Sequence, residues 1–266
     1  MINKTLKKIA SASILTTILA SNFIISNAAS YKVFIDAGHG GKDNGSTHNG
    51  YFEDAINLQI AQKLEDKLID EGIKVEMSRD DDSYISLSKR AIKSNNSDAD
   101  MFISIHQNAS LNKNANGIET YYMGAKNKDL ATTIHKSVVN YTNANDRNIK
   151  TKNLQVLRDN QKPSILLECG FISNSSEGYK LSTDEYQDKV VNGIVDGIKK
   201  YFNISGSSKY ATVLNTVNIM SNRGKNFKVI GTLPKGTKVK VIDTKFDWHK
   251  IEYNGRYGYV SGVYVK

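Results

Sequence analysis

Two histidines and a glutamate follow apolar, strand-like runs in this sequence. His39 comes three residues after Lys32–Asp36 (KVFID), and His106 ends the run Met101–His106 (MFISIH). Glu168 directly follows a third apolar run, SILL. Since sites in α/β sheets form where strands end, we expect these three side chains to lie near one another.

A fourth candidate, Glu53, opens an apolar helical pattern. Two imidazoles and one carboxylate leave one position of a tetrahedral Zn²⁺ open for water, as a hydrolytic zinc site requires. A further carboxylate can take a proton from that water and pass it to a leaving nitrogen. The chain has one cysteine, Cys169, which excludes a thiolate-only zinc site and an intramolecular disulfide framework.

Each of these residues also has a purely structural interpretation. A histidine at a strand end is more often a hydrogen-bonded loop residue than a ligand, and Glu53 would favour a helix N-terminus through the helix dipole. Glu168 is harder to explain in this way, because a buried charge needs a partner. His48 is a competing ligand, since it lies between His39 and Glu53. His135, in a helical pattern, and His249, in the basic C-terminal segment, are interpreted as structural.

The segments that must position these residues alternate between strand and helix patterns. Strands are predicted at Lys32–Asp36, Ile73–Met77, Met101–His106, Gly117–Met123, Leu154–Leu157 and Ser164–Glu168. Helices with one apolar face are predicted from Glu53 to Gly72, around Leu87–Ser94, around Leu130–Tyr141 and from about Thr183 to Phe202. This order predicts an α/β fold with a mostly parallel sheet flanked by helices on both faces.

The first 29 residues are typical of a secretory signal peptide. Three lysines precede an uncharged run, Ile9 to Ile25, and small residues follow it, so cleavage is expected near Ala28 or Ala29. The alternative is a retained membrane anchor, which the short run and its Ser, Thr and Asn content disfavour. We therefore expect a secreted protein of the bacterial cell wall, with no stable membrane insertion after cleavage.

Charge divides the remaining chain into two parts. The whole chain carries +9, but the segment from Gly206 onward has eleven Lys and Arg and three acids, hence +8. Residues 30–205 have 22 basic and 24 acidic residues, hence −2. A polar linker at residues 203–209 is predicted to join a catalytic domain, residues 30–202, to a C-terminal domain, residues 210–266.

The C-terminal segment shows short strand patterns separated by turns. Strands are predicted at Thr212–Leu214, Val229–Leu233, Thr237–Ile242, Trp248–Tyr253 and Arg256–Val260. The sequence Tyr253–Arg256 (YNGR) predicts a hairpin. About sixty residues of this kind predict a small β-barrel.

Four sequence blocks occur in order along the first part of the chain: Asp36–Gly41 (DAGHGG), Glu53, Ser104–Ala109 (SIHQNA) and Leu167–Asn174 (LECGFISN). Together they resemble the zinc-dependent N-acetylmuramoyl-L-alanine amidases of the amidase-3 type, over about Lys32 to Phe202. The resemblance implies that His39, Glu53 and His106 bind Zn²⁺. It also implies that Glu168 is the catalytic carboxylate and that His48 is a bystander.

The same resemblance implies a reaction, which is hydrolysis of the amide between N-acetylmuramic acid and L-alanine of the peptidoglycan stem peptide. A zinc-activated water would attack, with Glu168 as general base and acid. Asn108 and Arg158 lie close to the motifs in sequence and are candidate substrate contacts, a structural role being the alternative. Residues 108–158 show no long extra helix that could block the site, so an open cleft is expected.

The C-terminal strands resemble the bacterial SH3-like domain. The resemblance rests on Val229–Gly231, Gly236–Val241, Trp248–Ile251 and Gly258–Val260. Such modules commonly bind cell-wall peptides, and the +8 charge makes anionic wall polymers a second expected partner. Nucleic acid is not an expected partner, because the signal peptide directs the chain out of the cell and no base-reading helix or stacking motif is evident.

Two alternatives to the amidase remain open at the level of sequence. A zinc carboxypeptidase-like peptidase acting on stem peptides could use the same two-histidine, one-carboxylate site. A non-catalytic wall-binding protein could retain the fold without the reaction. The presence of all four motif residues argues against the second alternative.

Overall fold

The computed structural model describes residues 31–204, 209–245, 247–253 and 256–266. The predicted signal peptide, residues 1–29, lies outside these ranges, as do residues 205–208 of the predicted linker. Among the helices of the described ranges, none is long and apolar enough to cross a membrane.

Residues 31–204 alternate between strands and helices. The strands are β1 (Lys32–Ala37), β2 (Thr47–His48), β3 (Tyr51–Phe52), β4 (Lys74–Met77), β5 (Met101–Asn108), β6 (Ile118–Tyr122), β7 (Asp146–Thr151) and β8 (Ser164–Phe171). The helices are α1 (Glu53–Asp70), α2 (Leu87–Asn96), α3 (Lys128–Thr142), α4 (Gln155–Arg158), α5 (Ser175–Leu181) and α6 (Asp184–Tyr201).

Six of these strands form one sheet, in the order β4-β1-β5-β8-β6-β7. Strand β1 pairs in parallel with β4 and β5, and β5 pairs in parallel with β8. Strand β6 runs antiparallel to β8 and parallel to the edge strand β7. The predicted mostly parallel sheet is confirmed, and the C-terminal ends of β1, β5 and β8 lie side by side.

Helices cover both faces of the sheet, because successive strand residues point to opposite sides. On one face, residues such as Ile35 and Ile103 pack against the apolar sides of α1, α3 and α6. On the other face, Phe34 and Phe102 pack against Val156 of the short helix α4, and α2 lies beside α4. The second face is therefore covered by shorter helices than the first.

Some predicted elements differ from the structure. The predicted strand Leu154–Leu157 is wrong, because Gln155–Arg158 form helix α4; a four-residue apolar run is too short for its period to distinguish helix from strand. Strand β7 was missed because Asp146–Thr151 is polar except for Ile149, as edge strands often are. The β2–β3 hairpin and α5 were also not predicted.

The C-terminal residues form a second sheet that is entirely antiparallel. Its strands are β9 (Lys209–Thr212), β10 (Val217–Met220), β11 (Val229–Leu233), β12 (Lys238–Lys245), β13 (Trp248–Tyr253) and β14 (Arg256–Ser261), in the order β11-β10-β14-β13-β12-β9. Strands β13 and β14 pair as far as Tyr253 and Arg256, so the predicted hairpin is confirmed. In place of the predicted strand Thr212–Leu214 the structure has β9, which begins at Lys209 and ends at Thr212. Strand β10 was not predicted. The all-β character of this region is as predicted.

Candidate active site

His39 lies in the glycine-rich loop that leaves β1. Its backbone is left-handed, with φ of 61°, a conformation that non-glycine residues rarely adopt. Its Nδ1 lies 2.9 Å from Asp43 Oδ2, and its Nε2 lies 3.3 Å from Glu53 Oε1. Because Asp43 accepts the Nδ1 proton, Nε2 is the nitrogen of His39 that is available to a metal.

His106 lies on β5, which continues two residues beyond the predicted strand end. Its Nδ1 is 2.9 Å from Glu53 Oε1, and its ring meets the His39 ring edge-on at 4.9 Å between centroids. One ligand atom from each of His39, Glu53 and His106 lies within 4.8 Å of the others. The three residues come from a loop, a helix and a strand, so the predicted ligand set is brought together by the fold.

Glu53 is the first residue of α1, and its carboxylate is almost fully buried. Its Oε2 accepts a hydrogen bond from the Ser46 amide at 2.8 Å, and its Oε1 accepts one from the Gln107 amide at 3.1 Å. These backbone donors fix both carboxylate oxygens relative to the two imidazoles. Two histidine nitrogens and one carboxylate oxygen form a donor set that suits Zn²⁺ and leaves a coordination position for water.

The carboxylates of Glu53 and Asp43 favour a positive charge at the His39 imidazole, which lies between them. Burial alone would lower the pKa of His39, but the hydrogen bonds and charges of Glu53 and Asp43 raise it to about 9. Burial would likewise raise the pKa of Glu53, yet the hydrogen bonds from His106 and His39 hold it well below its ordinary value. Glu53 is therefore ionised, as a metal ligand must be.

Glycines allow the loop after β1 to approach His106, Glu53 and His39 closely. A Cβ at Gly38 would overlap the His106 imidazole. At Gly45, where φ is +63°, a Cβ would lie 2.7 Å from Glu53 Oε2 and 2.7 Å from the His39 ring. Glycine at these two positions is needed for space beside the candidate ligands, and at Gly45 also for its backbone conformation.

Two buried arginines hold the backbone on which His39 lies. Arg90 of α2 donates to the carbonyl oxygens of Ala37 and His39, both at 2.6 Å, and to the buried Asp36 carboxylate at 2.7 Å. Arg79 donates to the carbonyl oxygens of Ala37 and Gly38, each at 3.0 Å. The left-handed backbone of His39 is thus fixed by guanidinium groups that cannot lose their charge.

Glu168 lies on β8 directly opposite His106 of β5, within a strand that continues to Phe171. Its Oε2 is buried and has no hydrogen-bond partner within the protein. Burial raises the pKa of Glu168 to about 7, partly opposed by the positive charge of His106 and reinforced by Glu53 and Glu119. A carboxyl group that titrates near neutral pH can both accept and donate a proton during one reaction.

A second buried carboxylate, Glu119 of β6, lies opposite Glu168 on its other side. The row His106–Glu168–Glu119 therefore crosses three adjacent strands at paired positions. Tyr121 and Asn108 donate to Glu119 Oε2 at 2.5 and 3.0 Å. The candidate substrate contact Asn108 is thus joined to this carboxylate.

The remaining candidates, His48 and Arg158, contact residues outside the cluster. His48 lies on the β2–β3 hairpin, where its Nδ1 is 3.4 Å from Lys113 Nζ. Arg158, at the end of α4, donates to Asp159 and Asn153 at 3.0 and 3.1 Å.

The two histidines interpreted as structural have protein partners, as does the cysteine. His135 is buried between Thr120 and Asp146, at 3.0 and 2.8 Å. His249 Nδ1 lies 2.7 Å from Thr244 Oγ1. Cys169 is fully buried on the apolar face opposite Glu168.

Sequence reasoning missed the residues that support the candidate ligands. Asp43 lies four residues after His39, and its acidic side chain in a glycine-rich loop is a signal that could have been used. Glu119 is a carboxylate inside a predicted strand, the same signal that identified Glu168. The role of Arg90 had no local signal, because its partner Asp36 is 54 residues away.

A profile of the family described as N-acetylmuramoyl-L-alanine amidase matches residues 33–200, which include every residue of the cluster. The chain belongs to the N-acetylmuramoyl-L-alanine amidase family. A second profile, described as bacterial SH3 domain, matches residues 215–266.

Similar proteins and solved structures are also N-acetylmuramoyl-L-alanine amidases. The chain is 37% identical over 199 residues to the sporulation-specific N-acetylmuramoyl-L-alanine amidase of Bacillus subtilis, covering 72% of this chain and 77% of the relative. It is 38% identical over 174 residues to the amidase LytC of the same species, covering 64% of this chain but 35% of that longer protein. The crystal structure of an N-acetylmuramoyl-L-alanine amidase from Clostridium difficile 630 superposes with a TM-score of 0.64 at 45% identity, covering 66% of this chain and 99% of that one.

The chain is accordingly an amidase that degrades peptidoglycan, and peptidoglycan is its substrate. Its action is at the cell wall, as in the related wall amidases. The peptidase and the non-catalytic binding protein, which the sequence left open, are not favoured by these relationships.

Proposed function

We propose that His39, Glu53 and His106 hold Zn²⁺ and that Glu168 carries the proton in hydrolysis of the amide between N-acetylmuramic acid and L-alanine. The observation that carries the proposal is the paired position of His106 and Glu168 on neighbouring strands, with Glu53 Oε1 2.9 Å from His106 Nδ1 and 3.3 Å from His39 Nε2. A metal bound to these ligands would supply a water of lowered pKa and a positive charge beside the scissile carbonyl.

The protein's own groups account for the proton transfers. Glu168, with its unpartnered Oε2 and a pKa of about 7, accepts a proton from the attacking water. It then donates that proton to the departing alanine nitrogen, so that the peptide leaves as an amine. Asp43 keeps the Nδ1 proton of His39 in place and so fixes the imidazole tautomer throughout the reaction.

The proposal extends to where the enzyme acts. Residues 1–29 direct export and are removed, residues 30–202 catalyse the reaction, and residues 210–266, joined to them by a linker at residues 203–209, bind the wall. The basic C-terminal segment, at +8, supports retention on anionic wall polymers in addition to peptidoglycan. Intact-mass measurement of the protein from the culture wall fraction tests the export step, since a mature chain should begin near Ala29 or Ser30.

Product analysis tests the reaction. Purified walls digested by the zinc-loaded protein should release new L-alanine amino groups while the glycan strands and the stem peptides stay intact. A chelator should stop the release, and added Zn²⁺ should restore it. Shortened stem peptides without new L-alanine termini would instead identify the carboxypeptidase-like alternative.

A further inference from the structure

A group of cations surrounds Glu119 beside the catalytic carboxylate. Arg147 Nε and Lys150 Nζ both donate to Glu119 Oε1, at 2.7 and 2.6 Å, while the other oxygen accepts from Tyr121 and Asn108. The Glu119 side chain is 3% exposed, whereas Arg147 and Lys150 are 33% and 41% exposed. The buried carboxylate therefore orders cations that remain accessible on the edge strand β7.

A third cation, Lys152, lies close to this group. Lys152 follows β7 and lies with its Nζ 4.8 Å from the centre of the Tyr121 ring. In the described part of the chain, no carboxylate pairs with the Lys152 ammonium group. Three cations thus lie near two internal carboxylates, Glu119 and Glu168, in a part of the protein where residues 30–205 together carry −2. A local positive excess of this kind attracts an external anion.

These cations lie on the side of Glu168 that is away from the proposed metal ligands. Glu168 donates its proton to the departing nitrogen, so the peptide begins beside Glu168. His106 is the neighbour of Glu168 on the metal side, and Glu119 is its neighbour on the other side. The charge of Lys152 is close enough to Glu168 to oppose the rise of that carboxyl's pKa. A peptide running away from the metal therefore passes these cations.

We propose that Lys152, together with Arg147 and Lys150 held by Glu119, forms a subsite for a carboxylate of the stem peptide. The subsite rests on the proposed function, because it takes the direction of the peptide from the role of Glu168. Arg147 and Lys150 are already hydrogen-bonded to Glu119, so Lys152 supplies the charge that the external carboxylate meets. Its recognition is charge-assisted and selects the free acid over its neutral amide.

The test compares two muropeptides that differ in one group. Disaccharide-peptide substrates carry the first carboxylate after L-alanine either free or amidated, and kcat and KM are measured for both with the zinc-loaded, full-length protein. Lys152→Gln is compared with Lys136→Gln, which removes an exposed charge from α3 on the opposite face of the sheet. Replacing Lys152 breaks no internal ion pair, so the fold should be retained.

The wild-type protein should prefer the free acid, through KM, by about threefold to tenfold, in the range of an exposed charge-assisted contact. Lys152→Gln should lose this preference and keep its zinc content, while Lys136→Gln should keep both. Equal acid-to-amide ratios of kcat/KM in the wild type and Lys152→Gln would overturn the subsite. If the wild type releases L-alanine termini from neither substrate, it is the proposed function that fails.

Discussion

His106 and Glu168 occupy directly paired positions on two neighbouring parallel strands, β5 and β8. The proposed metal ligand and the proposed proton carrier are therefore spaced by the hydrogen-bond ladder of the sheet, at the roughly 4.8 Å that separates adjacent strands. Their relative position does not depend on a loop. His39, by contrast, lies on a loop and needs two buried arginines to hold its backbone.

Glu168→Gln should separate metal binding from turnover. The amide has the size of the carboxyl but cannot carry the proton, so kcat should fall by about 10²-fold to 10⁴-fold. Zinc content should stay near that of the wild type, because Glu168 is outside the ligand set. Metal analysis and chromatographic assay of muropeptide cleavage on the same preparation check both parts. Wild-type turnover by this variant would contradict the role given to Glu168.

His39→Ala and His48→Ala should differ in zinc binding. Removing His39 takes one of three ligands away, so zinc affinity and activity should both be lost. His48 contacts Lys113 on the β2–β3 hairpin, and its removal should leave both unchanged. The zinc affinities of the two variants are compared by calorimetric titration of the metal-free proteins with Zn²⁺. Loss of zinc from His48→Ala alone would replace His39 by His48 in the ligand set.

Gly38→Ala should disturb the metal site by a steric effect on His106. The added Cβ would overlap the imidazole, so zinc affinity should fall by about tenfold or more. Gly72→Ala is the matched control, since φ there is +77° and no atom lies within 4 Å of the added Cβ. The control should lose about 1 kcal/mol of stability through backbone strain and keep its zinc affinity. Equal zinc affinities in the two variants would refute the steric argument.

Arg90→Lys should weaken both the fold and the metal site. Lysine keeps the positive charge but cannot bond Asp36 and the carbonyl oxygens of Ala37 and His39 at once. We expect a loss of about 3 kcal/mol in the free energy of unfolding and about tenfold in zinc affinity. Arg158→Lys, at an exposed position on α4, should change neither quantity. Denaturant unfolding of the metal-free protein and zinc titration measure them separately.

Binding to the wall should depend on the outer face of β12. Lys238 and Lys240 are exposed there, on either side of the buried Val239. Replacing both lysines by glutamine should weaken retention on walls by about threefold to tenfold at low salt. The difference from the wild type should vanish near 1 M salt, where the Debye length is about 3 Å. A lysine-to-arginine pair is the control, and a salt-independent difference would speak against charge-led binding.

The positions of His39, His106 and Glu168 at the ends of neighbouring strands could be predicted, because each residue follows or ends an apolar run. The ligand role of Glu53 remains a prediction from the family resemblance. The sheet could be predicted from the same runs. The support of the site could not, since Arg90 acts on Asp36 and His39 across long stretches of sequence. Polar edge strands give no periodic hydrophobic signal, so neither β7 nor the position of its cations beside Glu119 could be predicted from the sequence.

The three proposed ligands lie on a loop, a helix and a strand, and His106 is 53 residues from Glu53 along the chain. An ion bound there would act as a tertiary cross-link. By mass action, a free metal concentration one hundred times the dissociation constant adds about 2.7 kcal/mol to folding stability. Melting temperature would then follow metal supply, and an unfolded chain, which lacks the site, would be incapable of attacking peptidoglycan.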